Sequence, residues 1–449
     1  MPIPLFALLA GLVSAAPRAL PQQLPVQVRV RRPGSSGSSL HVVVIVQENR
    51  SLDYLFNGFA RANTVAVDPY TGTALQPISL ASGEQPDHDH AGGFTTECAA
   101  PAGSTTCAMT GFAQETIAHC GVSGSPSCTV YAYAPHREVA PYWSLARQGE
   151  LLDDLFQCNA GPSFPAHQCL IAGQDGGYKA TGKVDKAKPY AWAENMTNPT
   201  CANKRGTAPA VAVTAPYPGT ETAQRLCSQY ATIFDEVTAA GLTWRYYLDY
   251  TTSYWSGPEN VKQDAGSPSI VAPDYQFFTD LQDGTLANLT YIIPELPWSD
   301  HPGGKNRVYW AGTDWVGNII NAIEASPFAG STEIMVTWDD WGGWYDHVVP
   351  PIWQPNSYGF RVPGIIIGPG VIPNEVDHTE HNQASFVIGT IETIFGLPSL
   401  NQEDAQMEPF ENFNFVEYPG APAYVPVPVH SPSSWYGTQK PVVADGMDD

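Results

Sequence analysis

Two long apolar runs, far apart in the chain, share one pattern of hydrophobic positions. The first is His41–Gln47, in which Val and Ile residues follow one another, and the second is residues 333–338, with the sequence EIMVTW. A strand with one solvated face alternates apolar and polar positions, whereas near-continuous apolar runs are typical of strands covered on both faces. We therefore predict that both segments are strands of a parallel sheet.

Side chains that carry oxygen follow both predicted strands. Glu48 and Asn49 come directly after the first strand, and Asp339 and Asp340 come directly after the second. Open α/β sheets bind ligands at the carboxyl ends of their strands, so these side chains converge if both strands lie in one sheet. Crowded carboxylates need a cation, and ligand sets made only of oxygen favour hard ions such as Mg²⁺, Ca²⁺ or Mn²⁺. The pattern thus predicts one divalent metal ion.

Predicted strands and helices alternate along the rest of the chain. Trp315, Ile319 and Ile323 recur at four-residue spacing after a candidate cap at Thr313, which is typical of a helix with one face on the core. The alternation predicts an α/β fold with a mostly parallel central sheet flanked by helices. The other predicted helices span residues 140–157, 222–240 and 383–395, and the other predicted strands span residues 289–294 and 362–367.

Composition along the chain predicts its organisation. Residues 1–16 contain a short apolar stretch followed by small residues, as in a secretory signal peptide, and residues 17–39 are predicted to be a linker that ends in a Gly/Ser-rich stretch. Residues 40–449 are predicted to form a single domain. This domain carries an insertion at about residues 60–135, rich in Gly, Thr, Ser and Cys, and a proline-rich tail from about residue 419. We expect a secreted or periplasmic protein.

The chain has eight cysteines, all of which lie between Cys98 and Cys227. None of them has the spacing of a zinc site. An even number of cysteines in an exported protein predicts four disulfides, which agrees with the predicted signal peptide. The spacing leaves about 105 pairings open. The insertion is therefore expected to be cross-linked by disulfides.

The charge of the chain restricts its partners. Lys and Arg number 21 against 44 Asp and Glu, which gives a net charge of -23. This balance argues against nucleic acid as a partner and against electrostatic adhesion to anionic membranes, while a lipid headgroup in a pocket stays compatible with it. Beyond the signal, no apolar stretch reaches the ~20 residues that a membrane span needs. We expect no integral membrane segment after signal removal.

Ser163 is the best candidate for a nucleophile. Covalent cleavage of a phosphate or sulfate ester needs a hydroxyl group, a cation that activates it and an acid for the leaving group. Gly161 and Pro162 precede Ser163 and Pro165 follows it, and these residues suit a tight turn that presents one side chain. Such turns also occur in ordinary loops, so the candidate depends on the neighbouring motifs.

Several motifs together resemble those of one family. Residues 48–56, ENRSLDYLF, resemble the ENRSFDxYFG signature of the phosphoesterase family, which holds the non-specific phospholipases C and a group of acid phosphatases. Residues 339–351, DDWGGWYDHVVPP, resemble its DExGGxxDHVxPP signature. Shorter matches are SDHP at 299–302, GFRVP at 359–363 and the turn around Ser163, so the resemblance covers most of the chain from residue 41 to about 397.

The resemblance implies a fold and a ligand set. The family belongs to the alkaline-phosphatase-like superfamily, whose fold agrees with the predicted sheet. Ser163 would be both nucleophile and metal ligand, and it would form a phosphoserine intermediate. The implied metal ligands are Glu48, Asn49, Ser163, Asp339 and Asp340.

Histidines complete the predicted catalytic set. The resemblance implies that His301 contacts the phosphate or protonates the leaving group. His90 occupies the position of a site histidine in the family, and His88 is a close rival for that match. His347, which follows Asp346, is either a catalytic residue or a partner that orients the ligands.

The chain departs from the family pattern next to the nucleophile. Ala166 and His167 replace the usual Asn and Arg, so an arginine that could grip phosphate with two hydrogen bonds is absent there. His167 either substitutes for this arginine or packs in the core. Asp340 is also one methylene shorter than the usual glutamate, which preserves ligation and shifts its geometry slightly.

These observations predict a secreted metal-dependent phosphoesterase. Its substrates would be phosphate mono- or diesters, including a phospholipid headgroup, and its activity would be that of a phospholipase C or of an acid phosphatase. A sulfatase is an alternative, because residues 163–167 partly match the sulfatase motif Ser/Cys-x-Pro-x-Arg. A non-catalytic exported binding protein on the same scaffold is a further alternative.

Overall fold

The computed structural model describes most of the chain from residue 40 onward. The predicted signal peptide and linker lie outside the described residues. The described ranges are 40–101, 104, 106–118, 128–174, 190–193, 201, 210–214, 221–224, 227–249, 253, 255–302, 308–351, 358–400 and 422–439.

A central sheet organises the fold. Within the described ranges it has eight strands, which in chain order are β1 His41–Gln47, β2 Glu150–Leu152, β3 Trp244–Tyr247, β4 Ile270–Val271, β5 Leu289–Ile292, β6 Thr332–Trp338, β7 Gly364–Ile367 and β8 Glu375–Asp377. Their order across the sheet is β4-β3-β5-β1-β6-β7-β2-β8, where β7 runs antiparallel to both of its neighbours and the other pairs are parallel. The predicted α/β fold with a mostly parallel sheet is confirmed.

The two apolar runs form the neighbouring central strands β1 and β6. Every residue of both strands is buried, which explains why neither sequence alternates between apolar and polar positions. The register pairs Gln47 with Trp338 at the carboxyl ends of the strands. The residues that follow the two strands therefore emerge side by side at one edge of the sheet.

Helices cover the sheet. Trp315, Ile319 and Ile323 are fully buried on the helix Ala311–Glu324 (α7), as their spacing predicts. The expected cap at Thr313 is wrong, because α7 begins two residues earlier and the Thr313 hydroxyl donates to the Trp310 carbonyl at 3.1 Å. The α-helices are α1 Leu52–Phe56, α2 Thr95–Cys98, α3 Ala140–Gln148, α4 Ser163–Ala172, α5 Ile233–Ala239, α6 Gln276–Gln282, α7 Ala311–Glu324 and α8 Thr390–Phe395.

Two predicted helices are shorter than their patterns suggest. The helix predicted for 140–157 ends at Gln148, because the chain passes close to β7 at Gly149, where a Cβ atom would lie 2.0 Å from the Ile366 carbonyl oxygen. The helix predicted for 222–240 begins only at Ile233, since Thr232 and Asp235 form a capping box there. Its predicted first turn is instead part of the strand Glu221–Gln224.

Short elements complete the described structure. The minor strand pairs are Gln76–Pro77 with Ala132–Tyr133, Gln85–Pro86 with Ile117–Ala118, and Leu155–Phe156 with His381–Asn382, and a three-stranded sheet contains Tyr190–Ala193, Ala210–Thr214 and Glu221–Gln224. The short 3₁₀ and π turns are His90–Phe94, Phe112–Gln114, Pro258–Asn260, Leu296–Trp298, Ala329–Ser331, Ser385–Gly389 and Ser433–Thr438.

Disulfides cross-link the chain, as the cysteine count predicts. Those between described residues are Cys98–Cys107 in the insertion, Cys158–Cys169 beside the nucleophile turn and Cys201–Cys227. Cys128 is also disulfide-bonded, so no cysteine in the described ranges is free. No helix in the described ranges is both long and apolar enough to cross a membrane.

Candidate active site and metal centre

The candidate site lies at the carboxyl ends of β1 and β6. Backbone hydrogen bonds join the two loops there, since the Asp339 amide donates to the Gln47 carbonyl at 2.9 Å and the Arg50 amide donates to the Asp340 carbonyl at 3.0 Å. The structure thus brings together four of the predicted ligands, and all of them are fully buried. They are Glu48, Asn49, Asp339 and Asp340.

Asn49 has an unusual backbone conformation that fixes the ligand loop. Its φ angle is 59°, in the left-handed region that Asn adopts more readily than most residues. Its amide donates to Asp339 Oδ1 at 2.9 Å, which ties one predicted ligand to another. Gly342 lies against it so closely that a Cβ atom would be 2.3 Å from the Asn49 carbonyl oxygen. The glycine is therefore needed for the approach of the two loops.

Ser163 points into the same group. It is the first residue of α4, and its hydroxyl lies 3.2 Å from Glu48 Oε2 and 3.1 Å from Asp340 Oδ2. The hydroxyl has one proton, which it can donate to either carboxylate. The sequence-predicted nucleophile is thus in hydrogen-bond contact with two predicted metal ligands.

The turn before Ser163 is held from several sides. The disulfide Cys158–Cys169 connects this turn to α4, and all ten residues of the helix are buried. The Gln157 side-chain amide donates to the Gly161 carbonyl at 2.6 Å. These contacts fix the position from which the Ser163 hydroxyl faces the carboxylates.

His167 also belongs to the site, although the sequence left its role open. Its Nε2 atom lies 3.0 Å from Glu48 Oε1 and 3.7 Å from Asp339 Oδ2. Residues four apart on a helix share one face, so α4 presents Ser163 and His167 to the same carboxylates. This spacing is the signal in the sequence that could have placed His167 in the site.

The donor set fits a divalent cation. Three carboxylates, those of Glu48, Asp339 and Asp340, are fully buried together, and such a group is costly without positive charge. Asn49 Oδ1 and Asp339 Oδ2 are buried and have no hydrogen-bond donor in the described part of the chain. Atoms of this kind are ready to coordinate a metal ion, and those of Glu48, His167 and Asp339 lie within 4.8 Å of one another.

Two further histidines lie beside this group. His88 Nε2 is 2.9 Å from the Asn49 side-chain amide and His88 Nδ1 is 3.0 Å from the Pro86 carbonyl, so the ring donates through Nδ1 and accepts at Nε2. The His301 ring is centred 6.2 Å from that of His88. His301 Nδ1 donates to the Pro302 carbonyl at 2.6 Å, which leaves Nε2 as the proton-free nitrogen of the neutral ring.

His90 supports the nucleophile turn. Its Nδ1 atom donates to the Ala160 carbonyl at 2.5 Å, and its ring stacks on Phe94. Burial lowers the pKa of His90 and favours the neutral ring. Of the two rival histidines, the structure therefore places His88 on a predicted ligand and His90 on the backbone before Ser163.

His347 lies in a second buried cluster. Its Nδ1 atom is 2.7 Å from Asp53 Oδ2, while Arg361 binds both carboxylate oxygens of Asp346 at 2.9 and 3.1 Å. Burial acts to lower the pKa of His347, but the hydrogen bond and charge of Asp53 outweigh it and raise this pKa. Arg361 supplies the cation of this cluster, so the arrangement is that of an ion-pair network linking the loops after β1 and β6.

Comparisons with known proteins identify the family to which the chain is similar. The sequence profile of the Phosphoesterase family matches residues 40–398. Non-specific phospholipase C6 of Arabidopsis thaliana is 24% identical over 419 residues, covering 83% of this chain and 71% of that protein. The non-hemolytic phospholipase C of Pseudomonas aeruginosa is 26% identical over 219 residues, covering 38% of this chain and 30% of that one.

Solved structures give a weaker likeness. A protein of the alkaline phosphatase superfamily from Vibrio parahaemolyticus is similar over 84% of this chain and 72% of its own, with 12% identity and a TM-score of 0.37. A 2-O GAG sulfatase is similar over 81% of this chain and 72% of its own, with 10% identity and a TM-score of 0.36.

The family match and the phospholipase C relatives, together with the α/β fold, indicate a hydrolase that acts on phosphate esters. Because the family profile covers most of the chain, the protein belongs to the phosphoesterase family.

Proposed function

We propose that the protein is an exported, metal-dependent phosphoesterase that cleaves phosphate esters through a phosphoserine intermediate. One observation carries the proposal: the Ser163 hydroxyl lies 3.2 and 3.1 Å from two carboxylates of a buried group that fits a divalent cation. A serine hydroxyl is a weak nucleophile unless an adjacent base or a metal ion activates it, and this position offers both. Residues Glu48, Asn49, Ser163, Asp339 and Asp340 would hold the ion.

The chain's own groups account for each proton in the reaction. A bound divalent ion would stabilise the Ser163 alkoxide and offset charge on the phosphate oxygens. Ser163 Oγ attacks phosphorus, its proton passes to the Glu48 or Asp340 carboxylate, and the bond to the leaving oxygen breaks. To act as the acid, His301 must carry a second proton on Nε2, which it donates to that oxygen, so that the ring becomes neutral. Water then attacks the phosphoserine and gives a proton to His301 Nε2, while the protonated carboxyl group returns its proton to Ser163 Oγ as the phosphorylated product is released.

The relatives favour a diester substrate. Both compared proteins are named phospholipases C, and the longer match spans 71% of its relative. We therefore propose a phospholipid headgroup ester as the preferred substrate class, with phosphate monoesters as the alternative. The disulfides agree with export to an oxidising compartment, secreted or periplasmic.

Turnover of three chromogenic esters tests the proposal. Purified full-length protein is stripped with a chelator, resupplied with divalent ions, and assayed with p-nitrophenylphosphorylcholine, p-nitrophenyl phosphate and p-nitrophenyl sulfate. We expect metal-restored cleavage of the choline diester. Cleavage of the monoester alone would assign a phosphatase, and preference for the sulfate ester would overturn the proposal in favour of a sulfatase.

Replacement of the nucleophile tests the intermediate. We expect Ser163→Ala to lower kcat on the order of 10³-fold or more, because the covalent step is lost. Ser326→Ala is the matched control. Ser326 precedes the amino end of β6, whereas the site lies at the carboxyl end, and its hydroxyl donates to the Ile323 carbonyl. Mass spectrometry of acid-quenched enzyme should find a phosphoryl group on Ser163. Wild-type turnover by Ser163→Ala would contradict the mechanism.

A further inference from the structure

Position 167 is where this chain departs from the family in chemistry as well as in sequence. The nucleophile turn that the chain resembles carries an arginine there, four residues after the nucleophile, and this chain has His167. A guanidinium is permanently charged and has no lone pair for a metal ion, whereas a neutral imidazole offers one nitrogen lone pair. The replacement therefore changes which interactions position 167 can make.

Helix α4 places the His167 ring against two of the predicted metal ligands. Ser163 and His167 stand one turn apart on α4, the spacing by which helices commonly present two ligands to one ion. His167 is buried, and its Nε2 atom lies 3.0 Å from Glu48 Oε1 and 3.7 Å from Asp339 Oδ2. These distances place the nitrogen between two predicted ligands from two different loops.

An ion pair alone does not account for this geometry. A protonated His167 could donate to Glu48, but Asp339 Oδ2 at 3.7 Å is too far for a hydrogen bond. Asp339 Oδ2 and Asn49 Oδ1 would then stay buried without a donor among the described residues. A metal ion bound by Glu48, His167 and Asp339, whose ligand atoms lie within 4.8 Å of one another, would give Asp339 Oδ2 a partner.

We propose that His167 is a nitrogen ligand of the metal ion, so that this centre favours transition-metal ions such as Zn²⁺ or Fe²⁺ over Mg²⁺ and Ca²⁺; this rests on the proposed metal-dependent function. Sites made only of oxygen suit Mg²⁺ and Ca²⁺, whereas imidazole shifts the preference toward Zn²⁺ and its neighbours in the transition series. The proposal changes the ion expected from the oxygen ligands alone. His167 on α4 would then determine which metal ion this centre prefers.

Spectroscopy of the wild-type protein tests the ligand without any substitution. Full-length protein is stripped, loaded with Mn²⁺, and examined by pulsed electron paramagnetic resonance for coupling to a bound imidazole nitrogen. We expect this coupling, and we expect competition titrations to give tighter binding of Zn²⁺ than of Mg²⁺. A Mn²⁺ spectrum without nitrogen coupling would overturn the proposal.

Variants identify the nitrogen and its effect. We expect His167→Gln to abolish the coupling and to weaken Zn²⁺ binding by more than the ~10–100-fold that loss of an outer partner costs. His167→Arg, which restores the usual family residue, should lower the ratio of Zn²⁺ to Mg²⁺ affinity at least as much. His88→Gln is the matched control, because His88 bonds the amide of Asn49 and should leave the nitrogen coupling intact.

The outcomes separate this inference from the proposed function. Nitrogen coupling that survives in His167→Gln, or an unchanged ion preference in His167→Arg, would overturn the ligand assignment while leaving metal-dependent turnover in place. Turnover by the stripped wild-type protein, with no ion bound in the titration, would instead refute the metal-dependent function. Circular dichroism of each variant confirms that loss of binding is measured on folded protein.

Discussion

At the scale of single residues, the ligand loop depends on how closely two backbones approach. Asn49 is in the left-handed region, and Gly342, with a φ angle of 65°, lies directly against its carbonyl. A side chain at position 342 would push Asn49 away from Asp339, whose carboxylate it holds. The geometry of two ligands therefore rests on a residue that has no side chain.

We expect Gly342→Ala to impair both stability and metal binding. The substitution adds the strain of a left-handed backbone, about 1–2 kcal/mol, and a contact of 2.3 Å with the Asn49 carbonyl oxygen. Its unfolding free energy should fall by more than about 2 kcal/mol, and metal affinity should fall at least ~10-fold. Urea denaturation and metal titration measure the two effects.

The control for this substitution separates strain from contact. Gly284 has a φ angle of 72° and open space where a Cβ atom would stand, so Gly284→Ala should lose about 1 kcal/mol and keep its metal affinity. Equal losses of metal affinity in both variants would show that the contact with Asn49 has no special role.

The sequence predicts those site residues that directly follow a strand. Glu48 and Asp339 follow strands whose apolar runs identify them, and pairing of those strands brings the carboxylates together. The choice between His88 and His90 was not predictable, because it depends on a turn in which Asp89 accepts from the Gly92 and Gly93 amides. Local hydrogen bonds of this kind leave no periodic pattern in the sequence.

At the scale of elements, α4 carries the nucleophile and His167 on one face. The disulfide Cys158–Cys169 joins the turn before this helix to its last turn, so it constrains the part of the chain that sets the Ser163 position. Periodicity predicted neither the break at Gly149 nor the late start at Thr232, since a close backbone approach ends one helix and a capping box begins the other. Tertiary contacts decided both boundaries.

We expect the paired substitution Cys158→Ser and Cys169→Ser to reduce turnover more than its loss of stability explains. Opening the disulfide frees the turn before Ser163, and the unfolding free energy should fall by about 2–3 kcal/mol. At a temperature where the variant is fully folded, kcat should still fall about 10-fold, because a misplaced nucleophile reacts slowly. Steady-state kinetics and denaturant unfolding provide the two numbers.

The matched control opens a disulfide that includes no residue of α4 or of the turn before Ser163. Cys201–Cys227 closes a longer segment, so Cys201→Ser with Cys227→Ser should lose at least as much stability while kcat stays within about twofold. If both paired variants lost turnover equally, the effect would be one of overall stability and the positional role of Cys158–Cys169 would be wrong.

At the scale of the whole molecule, the chain has an excess of acidic side chains, and the fold buries several of them. Burial raises the pKa of Glu333 to about 8, and the charge of Glu324 adds to this effect. Burial likewise raises the pKa of Glu115 to about 8 and that of Asp264 to about 7. Each folded-state carboxyl then holds its proton at a pH where the unfolded chain has released it, so stability falls as pH rises through this range.

We expect the protein to be more stable near pH 5 than near pH 8, and Glu333→Gln to flatten this dependence. The unfolded carboxyl titrates near pH 4.5 and the folded one near 8, so the loss of stability belongs to the interval between them. Glutamine keeps the shape of the neutral acid and can still accept from the Gly370 amide, so the variant should gain roughly 3 kcal/mol at pH 8 and little at pH 5. Urea denaturation at constant ionic strength across this range measures the slope. Asp283→Asn, at an exposed position, should leave the slope unchanged, and a wild-type slope retained by Glu333→Gln would contradict the assignment.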